Sequence, residues 1–305
     1  MLTIYNPIVI TGATASGKTS VAVNLANKIG GEIISADSRQ VYRGMDVGTG
    51  KDLEDYTIDG KTIPYHLIDI AKAGYKYNVY EFRRDFNNIY KNIVERDKNA
   101  VMCGGTGLYI EAVLKNYDLI EVPVNSDLRK QLENLNIIDL AERLSSYKIM
   151  HNRSDLDTPK RAIRAIEIAE YYSRNEYVPE QNYEMNPIVF GVYFERDQRR
   201  ARITERLIHR LNNGMIEEVQ ELLDSGISND NMEYYGLEYK FLSWYLSGKV
   251  SYDEMFSGLN TAIHQFSKRQ MTWFRKMEKN GTIIHWIDGN LSMEKKMEFI
   301  FNKLL

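Results

Sequence analysis

A chain of 305 residues with 43% hydrophobic and 27% charged content has an ordinary globular composition, long enough for one domain with a substantial insertion or for two domains. Its single cysteine, Cys103, excludes an internal disulfide and a cysteine-built zinc site, and fits a reducing compartment. The net charge of −3 excludes a generally basic protein, no apolar run approaches the roughly 18 residues of a membrane span, and Met1–Pro7 lacks the basic and apolar regions of a signal peptide, so a cytoplasmic protein is expected.

Ile8-Val9-Ile10 reads as a buried strand and Ser20–Ala26 as the start of a helix. Between them, Gly12-Ala13-Thr14-Ala15-Ser16-Gly17-Lys18-Thr19 fits G-x-x-x-x-G-K-[ST], the loop whose backbone N–H groups wrap phosphate oxygens. In that pattern Lys18 reaches the outer phosphate, Thr19 offers its hydroxyl to Mg²⁺, and the helix N-terminus favours the anion. A Gly-rich turn without a ligand is the alternative; strand, loop and helix falling in register favour phosphate binding. Glu32-Ile33-Ile34-Ser35 is a second apolar strand candidate that runs out at Asp37. Ligands of open parallel sheets sit at the carboxyl ends of strands, so Asp37 should face the phosphate loop. Spacing leaves its role open: a metal-binding carboxylate or general base on one side, a cap on the following turn on the other.

Further strands are expected at 64–69 and 100–104 and further helices near 79–96 and 107–115, an alternation that predicts a parallel sheet wrapped by helices. The strand 100–104 runs into a second Gly-rich turn, Gly104-Gly105-Thr106-Gly107, which should lie beside the first. Residues 126–174 have helical periodicity, with caps suggested at Ser126-Asp127 and Asp157-Thr158-Pro159. Pro187–Phe194 reads as a return to the sheet, 197–277 as helical, Thr282–Asp288 as a final strand and 292–304 as a docking helix. Arg196–Arg210 carries six arginines against Asp197 and Glu205, and Lys268–Lys279 five basic residues against Glu278. The default reading of such runs is a solvated helix face; two of them in an acidic chain keep a polyanion partner in view. The expected architecture is a P-loop-type α/β core over 1–115 and 187–305, with C-terminal helices and a helical insertion over 116–186.

Taken together, Gly12–Thr19, Ser35–Tyr42, Met45–Lys51, His66–Ile70, Gly104–Tyr109, Lys160–Glu167, Arg202-Ile203 with Arg206, Gly214–Val219 and Lys268–Arg275 resemble the tRNA dimethylallyltransferases, also called tRNA isopentenyltransferases. The ordered matches run from residue 12 to 275. The resemblance implies transfer of a dimethylallyl group from its diphosphate to N6 of the tRNA adenosine 3′ of the anticodon, with Mg²⁺, by a soluble and monomeric enzyme. It implies that Gly12, Thr14, Ala15, Ser16, Gly17, Lys18, Thr19 and Arg202 hold the donor diphosphate, with Thr19 on the metal and Asp37 taking the amine proton. Ser38, Arg39, Gln40 and Thr106 would line the acceptor pocket beside Asp37. Arg129, Lys160, Arg161 and Arg164 match positions that contact the anticodon stem-loop, which assigns that role to the insertion. Lys268, Arg269 and Arg275 would bind diphosphate or RNA backbone, while Trp273 and Phe274 read as core. Tyr235–Lys240, Gly50-Lys51-Asp52 and Tyr65-His66 depart from the family's usual wording, in places that bear on the RNA rather than on the chemistry. Prenylation of free adenine nucleotides, a small-molecule P-loop kinase and a non-catalytic RNA-binding protein are the competing readings.

Overall fold

The computed structural model describes residues 6–117, 119–147, 153–174 and 185–304. Two compact units emerge, Met1–Tyr117 with Glu184–Leu305, and Asp118–Tyr183. The expected insertion 116–186 therefore falls partly, at 118, 148–152 and 175–184, outside the described residues, as does the start of the N-terminal segment read for a leader.

The larger unit is built on a six-stranded sheet. Its strands are β1 (Ile8–Gly12), β2 (Gly31–Ser35), β5 (Tyr65–His66), β6 (Asn99–Gly104), β7 (Ile188–Tyr193) and β8 (Ile284–Asp288); a small antiparallel hairpin, β3 (Thr57–Ile58) with β4 (Lys61–Thr62), stands apart. The order is β5-β2-β6-β1-β7-β8 and all the pairings are parallel. The central strands β1, β2 and β6 are buried along their whole length, which is why they read as unbroken apolar runs instead of alternating ones. Parallel strands force crossovers, so helices cover both faces: α1 (Lys18–Ile29), α2 (Val79–Glu95), α3 (Gly107–Leu114) and, after the insertion, α7 (Arg196–Leu211), α8 (Met215–Asp224), α9 (Asn229–Tyr235), α10 (Leu237–Leu246), α11 (Tyr252–Lys279) and α12 (Met293–Leu304). Asn78 with Glu81 and Ser251 with Glu254 form capping boxes that start α2 and α11. One apolar cluster joins α2, α3, α7, α8, α10 and α11 to the sheet; another packs α1 and α12 on the opposite face.

The strand expected at 64–69 shrinks to Tyr65–His66. Leu67 and Asp69 take positive φ, 62° and 57°, and a chain turned that way cannot continue a ladder. In the smaller unit, α4 (Ser126–Leu132), α5 (Ile137–Ser145) and α6 (Pro159–Arg174) surround Leu128, Leu132, Leu140, Leu144, Ala162 and Ile166. The cap of α4 is Asn125, whose Oδ1 accepts the Leu128 N–H at 3.1 Å, one residue ahead of the expected Ser126-Asp127. At α6 the expected Thr158-Pro159 start holds: Thr158 Oγ1 accepts the Arg161 N–H at 3.3 Å and proline occupies the first helical position. No helix among the described residues is long and apolar enough to cross a membrane.

Candidate active site

The loop Gly12–Thr19, expected to bind phosphate, leaves β1 at Gly12, where a Cβ would come within 2.6 Å of both Ser16 Oγ and the Val192 carbonyl, so only glycine fits. Gly17 (φ 75°) turns the chain into α1 and no side chain caps that helix, which leaves its first N–H groups free of a side-chain partner and aimed at the loop. Ser16 Oγ is buried without a hydrogen-bond partner among the described residues.

Three arginines lie on one face of α7, spaced four apart, and the first two close over this loop. Arg202 donates from Nε to the Ala15 carbonyl (3.0 Å) with its guanidinium 4.4 Å from the Phe194 ring centre, Arg206 donates to Thr14 Oγ1, and Arg210 donates to Asp52 Oδ2 (3.0 Å). Only Arg202 was expected here. Arg206 and Arg210 follow from it at i+4 and i+8, a periodic signal present in the sequence. Burial, then the Arg210 charge, lowers the Arg206 pKa to about 10. Burial also lowers Lys18; Cys103 and Asp37 oppose the shift, while Arg206 and Arg210 add to it. Lys18, Arg206 and Arg210 thus crowd one another with like charge.

Two cavities meet at the loop. The one on the loop side, about 460 Å³, is lined by Thr14–Ser20 together with Asp37, Gln40, Asp52, Asp55 and Arg202. The other, about 470 Å³, is lined by Ser38, Arg39, Thr106, Leu108, Ile263, Phe266, Arg269 and Trp273 among others. Thr14, Lys18, Asp37, Thr49 and Arg206 line both. Asp37 also caps: its Oδ1 accepts the Arg39 N–H at 3.0 Å. The turn-cap and cavity readings of Asp37 thus coexist in one carboxylate.

The two Gly-rich turns are tied together from a distance. Gln270 Oε1 accepts the Thr14 N–H (2.8 Å) while its Nε2 donates to the Gly105 carbonyl (3.0 Å). Thr106 Oγ1 accepts the Ser38 N–H at 3.0 Å. Gln270, 8% exposed, has no role assignable from spacing, since its partners lie more than 160 positions away in the chain. Around the second cavity, Tyr235–Lys240 supplies six consecutive lining residues at the α9–α10 junction. Glu218 holds the facing loop by accepting the N–H groups of Asp46, Val47 and Gly48 and the Tyr239 hydroxyl.

The family model described as IPP transferase matches residues 40–277, and one described as isopentenyl transferase matches 5–63. The chain belongs to the IPP transferase family. It is 57% identical over 300 residues to tRNA dimethylallyltransferase 2 of Bacteroides fragilis and 55% identical over 300 residues to tRNA dimethylallyltransferase 2 of Phocaeicola vulgatus, covering 98% of each chain in both cases. Among solved structures it resembles the full-length tRNA isopentenylpyrophosphate transferase of Bacillus halodurans, at 31% identity and a TM-score of 0.72, over 99% of this chain and 96% of that one.

Within this member of the IPP transferase family the remaining expected residues separate. Ser38, Arg39 and Thr106 line the second cavity, but Gln40 faces the loop side, accepting from Ser35 Oγ and donating to the Gly50 carbonyl, both at 3.0 Å. Arg269 lines the second cavity, whereas Lys268 and Arg275 line a third, on the other side of α7. Phe274 is core; Trp273, expected there too, is partly buried and packs against the same core cluster while also lining the second cavity, where Gly107 leaves its indole room to lie against α3. In the smaller unit Arg129 and Arg164 both pair with buried Glu167, Arg161 pairs with Asp157 at 2.7 Å, and Lys160 is exposed. Burial alone would raise the Glu167 pKa; the hydrogen bonds from Arg129, Arg164 and the Asn125 N–H outweigh it and lower it.

Proposed function

We propose that this enzyme transfers a dimethylallyl group from dimethylallyl diphosphate to N6 of the adenosine next to the anticodon in tRNA. The observation that carries this reading is that Asp37 and Lys18 line both cavities at once, so a carboxylate and a diphosphate cradle share one reaction centre. The donor's diphosphate enters the loop-side cavity, against the N–H groups of residues 14–19, Lys18 and Arg202. Its five-carbon group extends between Leu108, Ile263, Phe266 and Trp273, apolar walls that exclude water from a carbon with cationic character.

The exocyclic amine of adenine is a weak nucleophile because its lone pair is delocalised. Asp37 orients it and accepts its proton as the N6–C1 bond forms and the C1–O bond to diphosphate breaks. The negative charge released onto diphosphate is stabilised by the loop N–H groups, Lys18 and Arg202, with Arg206 and Arg210 behind them. Anion binding also offsets the burial, and the smaller mutual repulsion, that lower the Lys18 and Arg206 pKa values. Ser38, Arg39 and Thr106 would hold the flipped base, and the basic residues of the smaller unit, Arg129, Lys160, Arg161 and Arg164, the anticodon stem-loop.

A divalent metal fits the loop-side cavity by the chemistry of the Thr19 hydroxyl, a hard oxygen donor that would hold it beside the diphosphate. Among the described residues no group of three or more His, Cys, Asp or Glu encloses a metal, in keeping with one that arrives on the diphosphate. When bound, Mg²⁺ there neutralises charge on the leaving group.

The test is transfer of labelled dimethylallyl from its diphosphate, with Mg²⁺, to unmodified tRNA and separately to AMP. Label on the tRNA adenosine alone is the expected result. Label on AMP alone would move the function to free nucleotides, and label on neither would remove prenyl transfer.

A further inference from the structure

α7 carries arginines on two faces. Arg202 and Arg206 hold the Gly12–Thr19 loop and Arg210 holds Asp52; Arg196, Arg199 and Arg200 do neither. They line a separate cavity of about 560 Å³, together with Lys268 and Arg275 of α11, floored by Ile203 and Met271. No residue of this cavity lines either cavity of the active site. Five cations face one carboxylate, Glu195, and among the described residues Arg196, Arg200, Lys268 and Arg275 form no ion pair. The start of α7 opens here with no side-chain cap on its N-terminus.

A solvated basic face would need nothing more, but this cavity also holds buried polar atoms with no partner. Ser267 is 1% exposed and its Oγ makes no hydrogen bond among the described residues; His264, also lining the cavity, leaves Nδ1 equally unpartnered. Buried hydroxyls are paired in folded proteins, and an unpaired one beside clustered cations marks a place where an acceptor is missing. Burial, followed by the charges of Arg275 and Arg196, lowers the Arg199 pKa, so the cations crowd each other as those at the phosphate loop do.

We propose that this cavity is a second phosphate-recognising site, distinct from the phosphate loop, in which Arg196, Arg199, Arg200, Lys268 and Arg275 surround a phosphate group and Ser267 donates to it. The group comes either from an RNA backbone or from a free phosphate compound, and the chemistry of recognition is the same for both.

Binding to the full-length protein tests this without any prenyl transfer, so its failure is separable from failure of the reaction assigned above. Inorganic diphosphate is titrated in one arm and an anticodon stem-loop RNA, across a salt series, in the other. The proteins are the parent, Arg199→Gln/Arg200→Gln and Ser267→Ala. For a free phosphate source, the parent binds two diphosphates, the loop site is unchanged in both variants, and the second weakens about tenfold or more in the double variant and several-fold in Ser267→Ala. For an RNA source, one diphosphate binds, the double variant loses roughly 0.7–0.9 of salt slope for each phosphate contact removed, and Ser267→Ala weakens RNA binding several-fold at every salt concentration. In either case Ser267→Ala melts at or above the parental temperature without anion, because it deletes an unpaired hydroxyl. Unchanged binding in both arms overturns the site. So does an effect of the arginine variant with none from Ser267→Ala, since a diffuse basic surface would behave that way.

Discussion

At the scale of single residues the site rests on a few side chains with separable duties. Asp37 holds a turn through Oδ1 and lines both cavities. Asp37→Asn keeps the turn acceptor and removes the base, so turnover should fall by about 10²–10⁴-fold while diphosphate binds as before. Single-turnover label transfer, paired with diphosphate titration, reads both; near-parental turnover would remove Asp37 from the chemistry. Gln270 acts differently, by positioning. Gln270→Leu leaves the Thr14 N–H and the Gly105 carbonyl unpaired in a nearly closed region, at about 1–3 kcal/mol for each group left without a partner. Urea denaturation should show that loss, and KM for the donor should rise as the loop loosens. An unchanged donor KM would show that the bridge is dispensable.

Elements depend on ion pairs that join them. Glu32 on β2 is held down to about 2 by the hydrogen bond from Arg96 just past α2; burial opposes this and His66 on β5 adds to it. A carboxylate held below its ordinary 4.5 binds fewer protons folded than unfolded. Its contribution to stability is therefore complete above pH 4.5 and is lost as pH falls towards 2. Glu32→Gln should lower the urea midpoint at pH 7, with the gap to the parent closing through that acid window; a constant gap would mean that the pair does not couple these elements. In the smaller unit Glu167 on α6 is the shared partner of Arg129 and Arg164 and accepts the N–H of the α4 cap, Asn125. Glu167→Gln should destabilise that unit by about 1–3 kcal/mol, read from the helical signal on heating.

For the molecule as a whole, anything that binds only the folded chain raises its stability by mass action. Diphosphate with Mg²⁺ at a hundred times its Kd for the loop should add about 2.7 kcal/mol, and the rise in Tm should shrink on chelation of the metal and lose the loop's share in Lys18→Ala at the same concentration. A full shift in Lys18→Ala would contradict the cradle.

Much of this molecule was written locally. The strands β1, β2 and β6 and the helices α1, α2 and α3 were legible because a parallel sheet buries both faces of its strands and each crossover helix shows its own apolar face. The turn of the Gly12–Thr19 loop was legible for a stronger reason: eight consecutive residues set their own backbone turn, with glycine where a side chain has no room. The strand at 64–69 was overread because apolar character does not reveal the positive φ of Leu67 and Asp69. Only the tertiary structure could bring Gln270 to Thr14, 256 positions earlier, or set the core-packed Trp273 against the second cavity as well. It alone divided the arginines of α7 between the phosphate loop and the cavity behind it. Periodicity says which residues share a helix face; what each face meets is decided by elements that close on it from elsewhere in the chain.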